Sequence, residues 1–135
     1  MSVYLDTNIF FLAAFGDDKD PRTQKSKEII LKASEGKEQY YTSLITIDEL
    51  IWAAIKQKID RKTAVKQGIL MHKLPIHFIP LITSISLRAL DLMQRYNISP
   101  RDAIHAASCM EIEADIVTDD SDFDEIKEVK RIELS

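Results

Sequence analysis

The sequence is poor in the residues that mark disulfide-rich, fibrous or low-complexity proteins. Its 135 residues include one cysteine, three glycines and four prolines. An internal disulfide or a cysteine-based zinc cluster needs several thiols, so the single Cys109 excludes both, and its apolar helical surroundings predict a buried, inert thiol. The scarcity of glycine and proline excludes collagen-like and low-complexity character. Apolar residues recur along the whole chain, which argues against disorder as its main state.

Long apolar runs are also missing from the sequence. No stretch of 18 apolar residues occurs, so the sequence predicts no membrane span and no membrane partner. The first residues lack the basic region and the long apolar segment of a signal peptide. We therefore expect a cytoplasmic protein.

Length and charge indicate the number of domains and restrict how the protein can bind nucleic acid. No linker, repeat or change of composition divides the chain, so we predict a single domain over residues 1–135. The 22 acidic and 18 basic residues give a net charge of -4. This balance excludes binding of nucleic acid by bulk positive charge, but it leaves open a local basic face or a metal-mediated phosphate site.

Strand and helix patterns alternate along the chain. Short strand-like segments occur at Val3–Leu5, Tyr40–Thr42, Ile76–Leu81, Ala114–Thr118 and Val129–Leu134. Helices are predicted between them over 22–35, over 47–55, after an N-cap at Asp60, over 84–96 and over 99–110. The alternation predicts an α/β fold, a three-layer α/β/α sandwich with a mainly parallel central sheet of about five strands.

Details of this pattern give further expectations for individual elements. Gly36 is expected to end the first of these helices, and Pro80 to mark the end of its strand. In the helix that begins near Ser84, helical spacing predicts that Leu87, Leu90 and Met93 share one face. The last strand alternates in polarity, which is typical of an edge strand.

Carboxylates follow several of the predicted strands. In a parallel sheet, ligands bind beyond the carboxyl ends of the strands, and four separate segments can bring acidic side chains to that edge. The acidic residues concerned are Asp6, Glu49, Asp102, Asp119, Asp120 and Asp122. Because so many like charges repel one another, their convergence favours a divalent cation, and oxygen ligands select Mg²⁺ or Mn²⁺. Phosphodiester hydrolysis is the reaction class that follows.

Helix capping is the alternative role for each carboxylate taken singly. Asp6 can cap the short helix behind it, and Asp119 or Asp120 can cap the turn at 121–125. The segments Thr46–Glu49 and Ser99–Asp102 both match a capping box. Capping does not require all these residues to lie at one edge of the sheet, so the set as a whole favours a metal site.

Four motifs, in their order and spacing, resemble the PIN domain family, in particular the small VapC-type toxin ribonucleases of toxin–antitoxin pairs. The motifs are Tyr4–Asn8, Thr46–Leu50, Arg101–Ala107 and Ile116–Phe123. The resemblance covers nearly the whole chain. It implies an endoribonuclease that depends on Mg²⁺ or Mn²⁺, cleaves RNA, forms a homodimer and is silenced by a cognate antitoxin.

The resemblance also implies roles for individual residues. The acidic quartet would be Asp6, Glu49, Asp102 and Asp120, which would be both catalytic and metal-binding. Asp122 would be an accessory ligand acting through water. Thr118 would orient a carboxylate or a water, and Asn8 would fix the loop around Asp6.

Residues outside the quartet have less specific signals. His105, one turn after Asp102, is expected to be a packing or orienting residue in preference to a general base. Trp52 is expected in the core, with a dimer or antitoxin surface as the alternative. Arg101, Arg61 and Lys62 are candidate RNA-binding residues, as is the stretch 22–27, because single-stranded nucleic acid needs a positive groove beside the metal.

Three other functions remain to be weighed against the toxin ribonuclease. A housekeeping RNA-processing PIN nuclease and a catalytically silent PIN-like module that binds RNA or a partner both stay open. A phosphatase of the haloacid-dehalogenase type is disfavoured, because it expects an aspartate where Asn8 stands. No glycine-rich run precedes a Lys-Ser/Thr pair, which excludes a P-loop.

Overall fold

A five-stranded sheet forms the centre of the computed structural model, which describes residues 2–134. In sheet order its strands are β3 (His77–Ile79), β2 (Gln39–Ser43), β1 (Ser2–Leu5), β4 (Asp115–Val117) and β5 (Arg131–Ile132), and every pairing is parallel. Val3 stands opposite both Tyr40 and Asp115, so β1 is the middle strand. The first and last residues of the predicted domain 1–135 lie outside the described residues.

Six helices cover the two faces of the sheet. They are α1 (Thr7–Phe15), α2 (Pro21–Ser34), α3 (Ile45–Lys56), α4 (Arg61–His72), α5 (Thr83–Arg95) and α6 (Pro100–Glu111). Successive residues of a strand point to opposite faces, so Tyr4 joins a core with α5 and α6, whereas Leu5 joins a second core with α1 to α4. This arrangement confirms the predicted three-layer α/β/α sandwich with a parallel five-stranded sheet.

Local capping chemistry explains where several helices begin and end. The Asp60 carboxylate accepts a hydrogen bond from the backbone N–H of Thr63, and the Ser99 hydroxyl accepts one from the N–H of Asp102, as predicted. Gly36 follows α2 with a φ of 70°, a left-handed conformation that glycine adopts without strain. Pro80 follows the end of β3, where it interrupts no hydrogen bond of the sheet.

The predicted capping box at Thr46–Glu49 is wrong. Helix α3 begins at Ile45, and Leu44 occupies the N-cap position without a side-chain hydrogen bond. Thr46 therefore lies inside the first turn, where its buried hydroxyl is 2.7 Å from the hydroxyl of Thr42 on β2. The residue ties the helix to the sheet instead of capping it.

The buried face of α5 is not the one that carries Leu87 and Leu90. Leu87 and Leu90 are 62% and 55% exposed, and the buried stripe consists of Ile85, Ala89 and Leu92. Both sets have helical spacing, so periodicity alone does not distinguish them. Small residues on α6, which packs against α5, allow a close approach that Ala89 suits better than a leucine does.

Two further expectations concern Cys109 and the last strand. Cys109 is buried, and burial, followed by the charge of Asp115, raises the pKa of its thiol to about 12, in agreement with an inert residue. Strand β5 lies at the edge of the sheet as predicted, although it covers only two residues. Among the helices of residues 2–134, none has both the length and the apolar character needed to cross a membrane.

Candidate metal centre

The ends of the neighbouring strands β1 and β4 form the floor of the site. Asp6 follows β1 directly, and its backbone N–H donates to the carbonyl of Val117 on β4 at 3.1 Å. The Thr118 hydroxyl donates to Asp6 Oδ2 at 2.7 Å, while Asn8 Nδ2 donates to the same hydroxyl at 3.0 Å. The parallel pairing of the two strands thus fixes the position of the Asp6 carboxylate.

Asp6 is also the N-cap of α1. Its Oδ1 accepts a hydrogen bond of 2.7 Å from the backbone N–H of Thr7. Asp120 is likewise both a helix cap and a residue of the acidic edge. Its Oδ1 accepts a hydrogen bond of 2.9 Å from the backbone N–H of Asp122, and its own N–H donates to the Thr118 hydroxyl. Capping and a place at the acidic edge are therefore compatible in both residues.

Three carboxylates converge beside this floor. Asp102 comes from the first turn of α6, and Asp120 and Asp122 come from the start of the 3₁₀ helix Ser121–Glu125. Oxygen atoms from these three residues all lie within 4.8 Å of one another, a separation that suits shared ligation of one cation. Asp122 thus lies with the other two carboxylates, although the family resemblance implies for it an indirect, water-mediated role.

The electrostatics of this cluster fit a cation. Burial, followed by the charges of Asp120 and Asp6, raises the pKa of Asp102 to about 6. Burial and the charges of Asp122 and Asp6 also raise the pKa of Asp120. Burial, followed by mutual repulsion, disfavours the ionised form of these carboxylates, and a hard divalent ion with oxygen ligands would relieve the repulsion.

Glu49 takes part in a different contact. Its Oε1 accepts a 2.8 Å hydrogen bond from the Thr7 hydroxyl and is hydrogen-bonded to Nε2 of His105. Burial alone would raise the pKa of Glu49, but the hydrogen bond and charge of His105 outweigh it, so the pKa is lowered. Glu49 therefore borders the same cleft as Asp102 but does not belong to the group of three converging carboxylates.

His105 is buried behind the site, with only 1% of its surface exposed. Its Nδ1 is 2.6 Å from the Tyr4 hydroxyl, and its Nε2 is 3.5 Å from Asp6 Oδ1 as well as bonded to Glu49. This position matches the expected packing and orienting role. The sequence offers no signal for the contacts of Tyr4 and Thr7, because their partners are far away along the chain.

A cleft of about 450 Å³ opens in front of Asp6, Glu49 and Asp102. Trp52 lines it and is 52% exposed, so the expected core position of Trp52 is wrong. Its place on α3, three residues after Glu49, turns the indole to the cleft, because residues three apart lie on one helix face. Phe11 and Lys56 line the same cleft, and neither is among the residues predicted for the site.

The candidate RNA-binding residues lie in different places. Arg101 lines the cleft, and its Nη2 is 3.1 Å from Asp48 Oδ2. Arg61 and Lys62 line a separate surface depression on α4 and do not reach the cleft. In the stretch 22–27, Arg22 lies near the acidic edge. Its guanidinium charge is already balanced by ion pairs with Asp20 and Asp119.

The raised pKa of Asp102 leads to a prediction for the metal-free protein. The folded state disfavours the ionised form of Asp102. The ionised carboxylate therefore destabilises the folded protein fully above about pH 6, and this destabilisation is relieved as the pH falls towards 3.8. In EDTA at pH 7.5, Asp102→Asn should be more stable than the wild type, and the difference should vanish near pH 4. Urea unfolding across this range measures it, with the exposed Asp18→Asn as a matched control. A difference that grows on acidification would contradict the proposed repulsion.

Fold and site together define an α/β domain with an acidic edge site, and comparisons with known proteins give the family. The PIN domain family model matches residues 3–129. The chain therefore belongs to the PIN domain family. No curated protein matches it in sequence.

Solved structures show the same fold. A toxin–antitoxin complex from Klebsiella pneumoniae is 23% identical with a TM-score of 0.65, and the match covers 94% of each chain. DNA-bound VapBC from Salmonella typhimurium is 16% identical with a TM-score of 0.76, over 100% of this chain and 99% of the other. Mycobacterium tuberculosis VapC20, a sarcin–ricin loop cleaving toxin, is 15% identical with a TM-score of 0.72, over 93% and 95%.

Proposed function

We propose that the chain is a divalent-metal-dependent endoribonuclease that acts as the toxin of a type II toxin–antitoxin system, with residues 1–135 as a single nuclease domain. The observation that carries the proposal is the convergence of Asp102, Asp120 and Asp122 within 4.8 Å at the edge of the sheet. Membership of the PIN domain family supports the assignment to a nuclease.

In this proposal the acidic residues divide the work of the site. Asp102, Asp120 and Asp122 would hold Mg²⁺ or Mn²⁺, with Asp6 beside them and Glu49 completing the quartet across the cleft. A cation bound there lowers the pKa of a coordinated water and neutralises charge that develops on the phosphate. Direct contact of Asp122 with the cation replaces the water-mediated role that the sequence suggests.

The neighbouring polar residues would hold Asp6 and Glu49 in place. Thr118 donates to Asp6 Oδ2, and Asn8 holds the Thr118 hydroxyl in that orientation. His105 does the same for Glu49, whose lowered pKa keeps it charged at neutral pH. Arg101, at the rim of the cleft, would offer its guanidinium to an RNA phosphate.

The partners follow from the fold similarity. Several neighbours with this fold were solved as toxin–antitoxin complexes, and one is a toxin that cleaves the sarcin–ricin loop. We therefore extend the proposal to an RNA substrate, a cognate antitoxin and a homodimer. The exposed Leu87 and Leu90 of α5 support a partner surface, because adjacent exposed leucines are typical of interfaces.

Thermal unfolding with EDTA, Mg²⁺ or Mn²⁺ tests the metal site without knowledge of the substrate. A cation that binds only the folded state should add about 2.7 kcal/mol at a hundredfold excess over its dissociation constant. The double variant Asp6→Asn with Asp102→Asn should lose this gain. Because protons compete for Asp102, the gain should also shrink as the pH falls below about 6.

The outcomes separate the candidate functions. A gain in the wild type that is absent from the variant supports a metal nuclease, and cleavage of RNA in Mn²⁺ then completes the test. No gain, with or without RNA, would instead favour the silent binding module. Growth arrest on expression of the wild type, but not of Asp102→Asn, would distinguish a toxin from a housekeeping RNA-processing nuclease.

A further inference from the structure

Helix α3 presents one mixed face to the cleft. Glu49, Trp52, Ala53 and Lys56 occupy positions i, i+3, i+4 and i+7, so they form a single stripe along the helix. All four line the cleft. Along this stripe the Glu49 carboxylate is followed by the Trp52 indole and then by the Lys56 ammonium group.

Trp52 is the least expected member of this stripe. An indole that is 52% exposed leaves much of its apolar area in water, and here it stands beside a cluster of charged residues and away from the two cores. Phe11, from α1, lines the same cleft and is half-buried. An exposed indole in a cleft with polar walls suits a flat ligand that is itself both aromatic and polar.

The charges around Trp52 indicate which aromatic ligand fits. Lys56 has no carboxylate within 4.0 Å among residues 2–134, so its ammonium group is available to an anion. Arg101 lies at the same cleft and forms an ion pair with Asp48. A chain of bases and phosphates matches this pairing of an aromatic surface with cations, because unpaired bases stack on aromatic side chains while the backbone follows positive charge.

We infer that Trp52 is the stacking surface for an unpaired RNA base next to the acidic site, with Lys56 holding an adjacent phosphate. The inference rests on the proposed nuclease function and adds to it the side chains that would hold the RNA beside the acidic site. A base inside a duplex has no free face, so this contact selects single-stranded or looped RNA over a fully paired helix.

Trp52 is the single tryptophan of the chain, so its fluorescence reports directly on this contact. The binding experiment uses the full chain in EDTA, which disables metal-dependent cleavage, and repeats it with Asp102→Asn. The probes are a single-stranded oligouridylate, an abasic ribose-phosphate oligomer of equal length, and an RNA duplex. Oligouridylate should change the Trp52 emission, and the abasic oligomer and the duplex should not.

Substitutions then separate stacking from charge. Trp52→Leu should weaken binding of oligouridylate by roughly tenfold, within the range for one base–aromatic stack, and leave binding of the abasic oligomer unchanged. Trp52→Phe should retain most of the affinity. Lys56→Gln should weaken both oligomers alike and reduce the salt dependence of binding. Leu31→Ala, at an exposed apolar residue on α2, serves as the control that changes neither.

The results distinguish this inference from the proposed function. RNA that binds with unchanged Trp52 emission and equal affinity for Trp52→Leu overturns the stacking role and leaves the nuclease intact. Stacking without cleavage in Mn²⁺ supports the RNA site while overturning the nuclease. If no RNA binds, the stacking role is overturned, and the exposed indole belongs to a protein interface. Unfolding curves of the Trp52 variants verify that each is folded.

Discussion

Asp102→Asn is expected to reduce metal-dependent RNA cleavage by at least about a hundredfold, because even outer contacts of a metal site are worth 10–100-fold in activity and Asp102 lies among the proposed direct ligands. Its carboxylate shares a 4.8 Å cluster with Asp120 and Asp122. The substitution keeps the size of the side chain but removes its charge, so the loss should appear as weaker metal binding together with slower cleavage. Single-turnover cleavage over a range of Mn²⁺ concentrations measures both effects.

Two features make this result informative. Asp18→Asn makes the same chemical change on an exposed residue away from the cleft and should leave the cleavage rate unaltered. The Asp102 variant should also be at least as stable as the wild type in EDTA, because a raised pKa marks a carboxylate that destabilises the folded state when ionised. Full activity in a folded Asp102→Asn protein would remove Asp102 from the catalytic set.

His105→Ala is expected to lower the free energy of unfolding by about 3 kcal/mol, since it leaves a cavity and removes the hydrogen bonds that the imidazole makes with two neighbouring groups. These groups are the Tyr4 hydroxyl and the Glu49 carboxylate, both hydrogen-bonded to the imidazole. Urea unfolding in EDTA measures the change. His72→Ala, on an exposed histidine of α4, should cost no more than about 1 kcal/mol.

The effect of His105→Ala should depend on pH. The pKa of His105 is raised, because the hydrogen bond and charges of Glu49 and Asp6 outweigh a burial that alone would lower it. Its contribution is present below pH 6.5 and is lost as the pH rises through the raised pKa. The contribution of Glu49 is present above pH 4.5 and is lost as the pH falls through its lowered pKa. His105→Ala should therefore differ from the wild type by the largest amount between pH 4.5 and pH 6.5, and a maximum above pH 8 would argue against the ion pair.

The sequence predicts the architecture well because its signals are local. Strand and helix patterns, the caps at Asp60 and Ser99, and the stop at Gly36 each depend on a few neighbouring residues. Parallel order then follows from the alternation of elements, since parallel strands need helical crossovers. The strand ends were therefore predictable, and with them the edge at which Asp6 and Asp120 lie.

Side-chain partners were less predictable because they depend on packing between distant segments. Tyr4 and His105 are separated by 101 positions, and nothing in either segment indicates their hydrogen bond. Trp52 has the spacing of a core residue, yet the turn of α3 that carries it faces the cleft. Leu87 and Leu90 are exposed for a related reason, because the small residues of α6 select Ala89 for the contact. The catalytic roles within the acidic quartet remain a prediction for the experiments above.

The central position of β1 has a consequence for biosynthesis. As the chain leaves the ribosome, β1 and β2 can pair early, but the other edge of β1 has to wait for β4, more than 100 residues later. Asp120 and Asp122 follow β4, so an incomplete nascent chain holds Asp6 and Asp102 without the other two carboxylates. Translation order therefore delays completion of the acidic cluster until synthesis of these residues is nearly over. Ribosome-bound fragments that stop before β4 expose an open strand edge, a known route to aggregation.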